Sequence, residues 1–186
     1  MPTNEDLAFA QAAHPMNWYE VAKLMNESAH ILHNSPQGQV IRRMQGGQQI
    51  VRRESNRPVF LLAAFAMENL LKAYLVMENP RYIEGGRLAR QLMNGHGLVK
   101  LQTACKSVPA PKRSRFVFEV LEKGVNSWAR YPCATAAERQ SDELAATPEF
   151  WSAYTRVFEL YCLRLEKLLS KRRRGAYGEW SRCAFR

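Results

Sequence analysis

The chain has 186 residues, 46% of them hydrophobic and 24% charged, which is the length and balance of about one globular domain. This composition excludes a wholly disordered protein, and the length does not favour a two-domain enzyme with a separate cofactor lobe. The 27 lysines and arginines against 17 acidic residues give a net charge of +10, which favours polyanionic partners such as RNA, DNA or an anionic membrane.

Apolar residues recur at helical spacing from the first third of the chain onward. A first helix is predicted over about 17–33, with one face formed by Trp18, Val21, Ala22, Met25, Ala29 and Leu32. Residues 39–57 are polar and basic and form a loop or a small hairpin that pairs 40–41 with 50–51 across two glycines. Pro58 opens the most apolar helix, which runs to about Glu78.

Three further helical segments are predicted in the second half of the chain. A short stripe is formed by Leu98, Leu101, Cys105 and Val108, and a longer helix covers about 111–129. Thr147 and Pro148 provide the N-cap and first turn of the last helix. Its stripe, typical of a seam against another helix or a second subunit, is formed by Trp151, Tyr154, Phe158, Tyr161, Leu165 and Leu168.

These patterns predict an all-α protein, a compact bundle of about five helices with a small hairpin or loop between helices 1 and 2. We divide it into an N-terminal extension (1–16), a helical domain (17–170) and a basic C-terminal tail (171–186). Half of the net positive charge lies in this tail, which begins with Lys171, Arg172, Arg173 and Arg174. It is either a solvated basic end or a segment in which these four residues bind nucleic acid.

The cysteines and the N-terminus bear on compartment and cofactors. Cys105, Cys133, Cys162 and Cys183 form none of the close pairs of zinc or redox sites. Acidic residues lie where a leader would be basic, and the longest apolar run, 59–67, is about half of a membrane span. His30 and His33 are three residues apart, with only Glu27 nearby at helical spacing. We expect a cytoplasmic protein that has no metal or other cofactor and does not bind membranes.

Sequence motifs exclude several enzyme classes and leave one pattern. The chain contains no P-loop, dinucleotide fingerprint, nucleophile elbow or zinc-protease helix. Arg90 precedes His96 by six positions, and His96 lies between glycines just before a predicted helix. An arginine and a histidine in this range can cleave RNA without metal, because Arg stabilises the transition state while His moves protons. The other interpretation is that His96 caps the helix and Arg90 is a surface residue.

Glu68 and Lys72 interrupt the most apolar helix four residues apart, with the carboxylate on the N-terminal side. This is the favourable order for a helical ion pair. The simplest interpretation is a surface pair worth about a few tenths of a kcal/mol.

Three segments of the sequence resemble stand-alone prokaryotic HEPN-domain proteins, over roughly residues 17–170. They are the run 60–73 (FLLAAFAMENLLKA), the segment Gly95-His96-Gly97-Leu98, and Arg130-Tyr131-Pro132. The resemblance implies a helical bundle that forms a homodimer and acts on RNA. Many such proteins are metal-independent endoribonucleases of toxin–antitoxin or phage-defence systems, whereas others are inactive nucleic-acid-binding or protein-interaction modules.

The resemblance also implies candidate site residues. Arg90 and His96 match the spacing of the family's catalytic arginine and histidine, although they precede the third helical segment rather than the last one. We predict Arg90, His96 and Arg130 as catalytic, and Glu68, Lys72, Tyr131 and the basic run 171–174 as substrate-binding. Glu68, Lys72, His96, Arg130 and Tyr131 are hypothesised to converge at one end of the bundle. The expected partners are RNA, a second copy of the chain, and an antitoxin or other protein.

Overall fold

The computed structural model describes residues 1–35, 40–45, 48–53, 55–93, 97–108, 112–134 and 136–185. Seven helices are seen in this part of the chain: α1 (Asn4–Ala12), α2 (Pro15–Asn34), α3 (Asn56–Glu78), α4 (Arg90–Met93), α5 (Leu98–Ala104), α6 (Lys112–Ser127) and α7 (Pro148–Leu169). Short 3-10 turns cover Pro80–Ile83 and Ala137–Arg139. Two antiparallel strand pairs join β1 (Val40–Gln45) to β2 (Gln48–Arg53), and β3 (Arg173–Arg174) to β4 (Glu179–Trp180). The predicted all-α bundle is confirmed.

Helix α3 forms the centre of the bundle because it is apolar on nearly all sides. By length and composition alone it could cross a membrane, but 72% of its most apolar window is buried by the other helices. This burial is what the core helix of a soluble protein shows. Pro58 is the third residue of α3 rather than its first, since the helix begins at Asn56.

Helix α2 packs antiparallel to α3. The Trp18 ring, early in α2, lies 5.5 Å from the Lys72 ammonium, late in α3. Further along α2, the sulfur of Met25 lies 3.6 Å from the Asn69 side-chain nitrogen. As residue numbers rise in α2 they fall in α3, and the hairpin formed by β1 and β2 makes the connection.

Helix α7 runs parallel to α3 and completes the core. Phe150 stacks on Phe60 near the start of both helices, with 5.2 Å between ring centres. Near their ends, the Tyr74 hydroxyl donates to the Tyr161 carbonyl oxygen at 2.6 Å. Every member of the predicted stripe is buried: Trp151, Tyr154, Phe158, Tyr161, Leu165 and Leu168. The seam is therefore filled by helices of the same chain.

The N-terminal residues contain a helix that the periodicity did not predict. Thr3 and Asp6 form a capping box at the start of α1, with hydrogen bonds of 2.9 and 3.1 Å. Helix α2 begins at Pro15, earlier than predicted, because the His14 ring nitrogen Nδ1 accepts a hydrogen bond from the Met16 backbone N–H at 3.1 Å. Short-range capping, rather than apolar spacing, sets both boundaries.

The buried face of α2 differs from the predicted one. Val21 is 40% exposed, whereas Tyr19 is 2% exposed and belongs to the core. Ala22 and Ala29 are buried as predicted. The large tyrosine ring, which periodicity alone does not favour over valine, therefore sets the rotation of the helix.

The segment between α2 and α3 is the hairpin rather than the loop of the two alternatives. Its register pairs Val40 with Arg53 and Ile41 with Arg52, so each of these apolar residues is paired with an arginine and the predicted pairing of 40–41 with 50–51 is wrong. Residues 46–47, the predicted tip, lie outside the described residues. A two-residue connection fixes this register.

Candidate nucleic-acid interface

A polar cavity of about 760 Å³ opens where α3 ends. Arg81 lines it from the 3-10 turn that follows α3, and Arg173 and Arg174 line it from β3. Glu78 and Glu84 are the acidic residues of the lining. We call this cavity the arginine groove. It joins two chain segments that are far apart in sequence and brings three arginines to one cavity.

Glu78 is held by backbone donors at one side of the groove. Its carboxylate accepts the backbone N–H groups of Lys106 at 2.9 Å and Ser107 at 2.7 Å. These contacts fix the loop after α5 against the end of α3. The Glu78 carboxylate is thus already engaged by two hydrogen bonds within the protein.

Arg173 has a structural contact in addition to its place in the groove. Its Nε donates to the Leu168 carbonyl oxygen at 3.2 Å, in the last turn of α7. A cation at this end of a helix is favoured by the helix dipole and by the unsatisfied carbonyls there. Arg173 is half-buried, whereas Lys171, Arg172 and Arg174 are exposed. Of the predicted binding run, Arg174 is therefore the groove arginine that is most available to a ligand.

The segment 171–185 folds back on the bundle. The Cys183 backbone N–H donates to the Leu169 carbonyl at 3.1 Å, and the Tyr177 hydroxyl accepts from the Gly85 N–H at 2.5 Å. The Trp180 ring lies 4.9 Å from the His14 ring. These contacts hold β3 and β4 in place, so the basic run is presented by a packed segment.

Gly175 is required where this segment turns. A Cβ atom at this position would lie 2.6 Å from Nε1 of Trp180, closer than packed atoms approach. The glycine lets the Trp180 ring cover the backbone and brings β3 and β4 into register. The position of Arg174 in the groove therefore depends on a close backbone–ring contact.

Glu68 and Lys72 form an ion pair of 2.6 Å, and only 9% and 12% of their side chains are exposed. The Lys72 ammonium also lies 5.5 Å from the centre of the Trp18 ring. The interpretation of a surface pair is wrong, because α2 packs over this part of α3 and covers it. The pair lies within α3, its contact with Trp18 connects it to α2, and little of either side chain is open to a macromolecule.

Arg130 and Tyr131 lie in the turn after α6 and are both exposed. The Arg130 guanidinium lies 5.1 Å from the Tyr131 ring centre. Two residues earlier, Trp128 is buried with its ring 4.8 Å from that of Phe60. This anchor holds the Arg130–Tyr131 turn near the first part of α3, and α6 ends at Ser127, close to the predicted end at about 129.

Arg90 is the first residue of α4 and is exposed, while Leu92 in the same short helix is 1% exposed and anchors it. His96 lies outside the described residues. The chain continues at Gly97 into α5, where the Val99 N–H donates to the Glu122 carboxylate of α6 at 2.9 Å. The first turn of α5 thus lies beside α6, the helix that leads to Arg130.

The other histidines have packing contacts. The His33 ring stacks on Trp151 with 4.2 Å between centres, and His30 meets the same ring edge-on at 4.8 Å. Burial lowers the pKa of His30, and the neighbouring His33 adds to this effect. In the described part of the chain, histidine, cysteine and acidic residues form no group of three that could hold a metal ion.

Comparisons of this chain with protein-family models, curated proteins and solved structures find no significant match. The resemblance to HEPN proteins therefore stays a prediction, as do the homodimer and the protein partner.

Sequence patterns missed two residues that the structure makes prominent. Arg81 follows Pro80 directly after α3, and a cation just beyond a helix end was the available signal. Trp18 was predicted only as a core residue, although it also covers Lys72. An aromatic residue in the first turn of a helix does not by itself indicate which charge it contacts.

Proposed function

We propose that this chain binds RNA and that the arginine groove holds part of the phosphate backbone. The observation that carries the proposal is the convergence of Arg81 and Arg174, both exposed, with Arg173 around a cavity of about 760 Å³. Guanidinium groups present planar pairs of donors that match phosphate oxygens. The exposed Lys171 and Arg172 precede β3 and extend the positive surface.

The net charge of +10 supports a polyanion rather than a small acid as the ligand. Phosphate contacts of this kind supply affinity without reading sequence. We therefore expect binding that tolerates many RNA sequences and weakens steeply as salt rises.

The test is fluorescence anisotropy with labelled mixed-sequence RNA at several salt concentrations. The groove variant is Arg81→Gln/Arg174→Gln, which spares the capping contact of Arg173. The matched control is Lys123→Gln/Arg139→Gln, which removes the same charge from two exposed positions outside the groove. We expect the groove variant to lose about tenfold in affinity and about two units of salt slope, and the control to change little. Equal losses in both variants, or no salt-dependent binding by the native protein, would contradict the proposal.

A second candidate function is metal-independent RNA cleavage. It is favoured by the exposed Arg90 at the start of α4, close in the chain to His96. In this reaction the arginine stabilises the charge that develops on the phosphate, while the histidine transfers a proton at the 2′-hydroxyl or the leaving oxygen. Arg130, in the packed turn that follows α6, is a further exposed cation.

The cleavage test uses labelled RNA in EDTA with the native protein and a folded His96→Ala variant. Cleavage that is lost in the variant would support the second candidate. Equal cleavage by both proteins would remove His96 from the site. Binding without cleavage by the native protein would leave RNA binding as the function.

A further inference from the structure

The positive charge of the chain is concentrated in two short segments. Residues 40–53 contain four arginines and no acidic residue, and residues 171–186 contain six basic residues and one acidic residue. Together they account for nine of the ten units of net charge, so the rest of the chain is almost balanced. The first of these segments is the β1–β2 hairpin, which has no part in the arginine groove.

The two basic segments lie at opposite ends of α3. Strand β2 ends at Arg53 and α3 begins at Asn56, whereas the groove is lined from Met77 onward at the other end. The 23 residues of α3, at about 1.5 Å of rise each, span about 34 Å. Base pairs of A-form RNA are stacked more closely along the axis than the about 3.4 Å of B-DNA, so more than about ten base pairs of RNA are needed to cover this distance.

The register distributes the arginines over both faces of the hairpin. Arg42 pairs with Val51, and Val40 pairs with Arg53. Cross-strand partners share a face and neighbours along a strand alternate, so Arg42 and Arg53 share one face and Arg43 and Arg52 share the other. No third described strand joins the pair. A two-stranded ribbon with four like charges is weakly stabilised by itself and gains from a polyanion.

Helix α7 carries basic residues between these two ends. Arg156, Arg164 and Lys167 are exposed, and their spacing of eight and three residues keeps them on one side of the helix. Glu159 is the exposed acidic residue nearest to this row along the helix. The row leads from the part of α7 beside the middle of α3 to Lys171, next to the groove.

We infer that the β1–β2 hairpin is a second RNA-binding surface, and that one RNA longer than about ten base pairs contacts both the hairpin and the arginine groove. This inference rests on the proposed function of the groove. Two linked contacts on one RNA raise the affinity far above that of either contact alone. An RNA too short to reach both ends gains nothing from the hairpin.

The experiment compares RNA duplexes of about 6 and about 20 base pairs, which are shorter and longer than the distance between the two surfaces. Two double variants, Arg42→Gln/Arg53→Gln and Arg43→Gln/Arg52→Gln, each remove the arginines of one hairpin face. Lys123→Gln/Arg139→Gln is again the control with the same charge loss. Circular dichroism and the unfolding midpoint establish that each variant keeps the native fold.

We expect the native protein to bind the long duplex about 100-fold more tightly than the short one. At least one hairpin variant should lose about tenfold on the long duplex and less than about threefold on the short one, while the control keeps its affinity for both. Arg→Lys replacements in the sensitive pair should restore part of the loss, because they keep the charge but not the planar pair of donors.

Three results would overturn the inference, and they differ in what else they affect. Native protein that binds neither duplex overturns the proposed function and the inference together. If the native protein bound both duplexes equally, one RNA would not contact both the hairpin and the groove. If both hairpin variants kept the native preference for the long duplex, the hairpin would be excluded as a binding surface. The proposed role of the groove would be unaffected.

Discussion

Two ion pairs with the same spacing lie in very different surroundings in this protein. In α3, the Lys72 ammonium is 2.6 Å from the Glu68 carboxylate, and the side chains are 12% and 9% exposed. In α6, Arg115 Nε is 2.8 Å from the Glu119 carboxylate, and the side chains are 63% and 52% exposed. Spacing alone gives both pairs the same expected value. Their surroundings therefore decide what each contributes to stability.

Burial changes both the benefit and the risk of the α3 pair. The Trp18 ring covers Lys72 and excludes water, which strengthens the attraction between the charges. Removing water from two charges is itself costly, so the pair stabilises the fold only while both members are present. The α6 pair remains in water, where salt screens it and the lost side-chain freedom offsets most of the attraction.

The largest effect is expected from Lys72→Met. This change deprives the Glu68 carboxylate of its ammonium in a site where only 9% of the side chain is exposed. We expect a loss of about 3 kcal/mol in the free energy of unfolding, because a buried carboxylate loses the ammonium group that neutralises it. Chemical denaturation at pH 7 measures it.

The control for this prediction is the double variant Glu68→Gln/Lys72→Met, which removes both charges with little change in volume. We expect it to recover at least half of the loss, since no buried carboxylate remains. If the single and double variants were equally unstable, lost packing rather than lost charge compensation would explain the cost of Lys72→Met.

Trp18→Leu is expected to have a smaller effect on the same pair. It removes the ring 5.5 Å from the Lys72 ammonium and leaves an apolar side chain in its place. Trp18→Leu should lower the free energy of unfolding, and the part of this decrease that depends on Lys72 should be about 1 kcal/mol. This is the value expected for a partly desolvated cation over an aromatic ring. A double-mutant cycle with Lys72→Met isolates it, and a coupling near zero would show that the ring acts by packing alone.

A pH-dependent effect on stability is expected at His14, because burial favours the neutral form of its ring. Its Nδ1 accepts the Met16 N–H at 3.1 Å, and burial lowers the pKa of His14 from its ordinary value of 6.5. Below that value the unfolded chain takes up a proton that the folded chain does not yet take up. The stability associated with neutral His14 is therefore present above pH 6.5 and falls as the pH drops from 6.5 toward the lower folded-state pKa.

The variant His14→Asn separates this contribution from those of other histidines. Asparagine can still cap α2 but does not titrate. Free energies of unfolding measured from about pH 7.5 to about pH 5 should fall less steeply in the variant than in the native protein. Equal slopes would mean that other groups, such as His30, account for the acid sensitivity.

Sequence periodicity predicted the parts of the fold that large apolar side chains dictate. The α7 stripe from Trp151 to Leu168 is buried throughout, since bulky residues at three- and four-residue steps have a single way to leave water. It failed where short polar contacts decide, as at the Thr3–Asp6 capping box of α1 and at the His14 cap of α2. These contacts involve single hydrogen bonds, which leave little trace in the pattern of apolar residues.

The candidate site was only partly predictable for a related reason. Arg173 and Arg174 could be singled out because they belong to a basic run in the sequence. Their partner in the groove, Arg81, is brought to them by tertiary folding over more than ninety residues of chain. The spacing of Glu68 and Lys72 indicated an ion pair, but its burial depends on Trp18 and α2. Sequence shows charge and spacing, whereas the packing of other elements determines exposure.

The smallest effect is expected from Arg115→Gln in the exposed pair of α6. The cation here precedes the carboxylate along the helix, the less favourable order, and the side chains are 63% and 52% exposed. We expect a change of less than about 0.5 kcal/mol in the free energy of unfolding, and a still smaller one in high salt. Denaturation in low and high salt, beside Lys72→Met, measures the contrast directly. A loss in the α6 variant comparable to that of Lys72→Met would mean that spacing, and not burial, sets the value of both pairs.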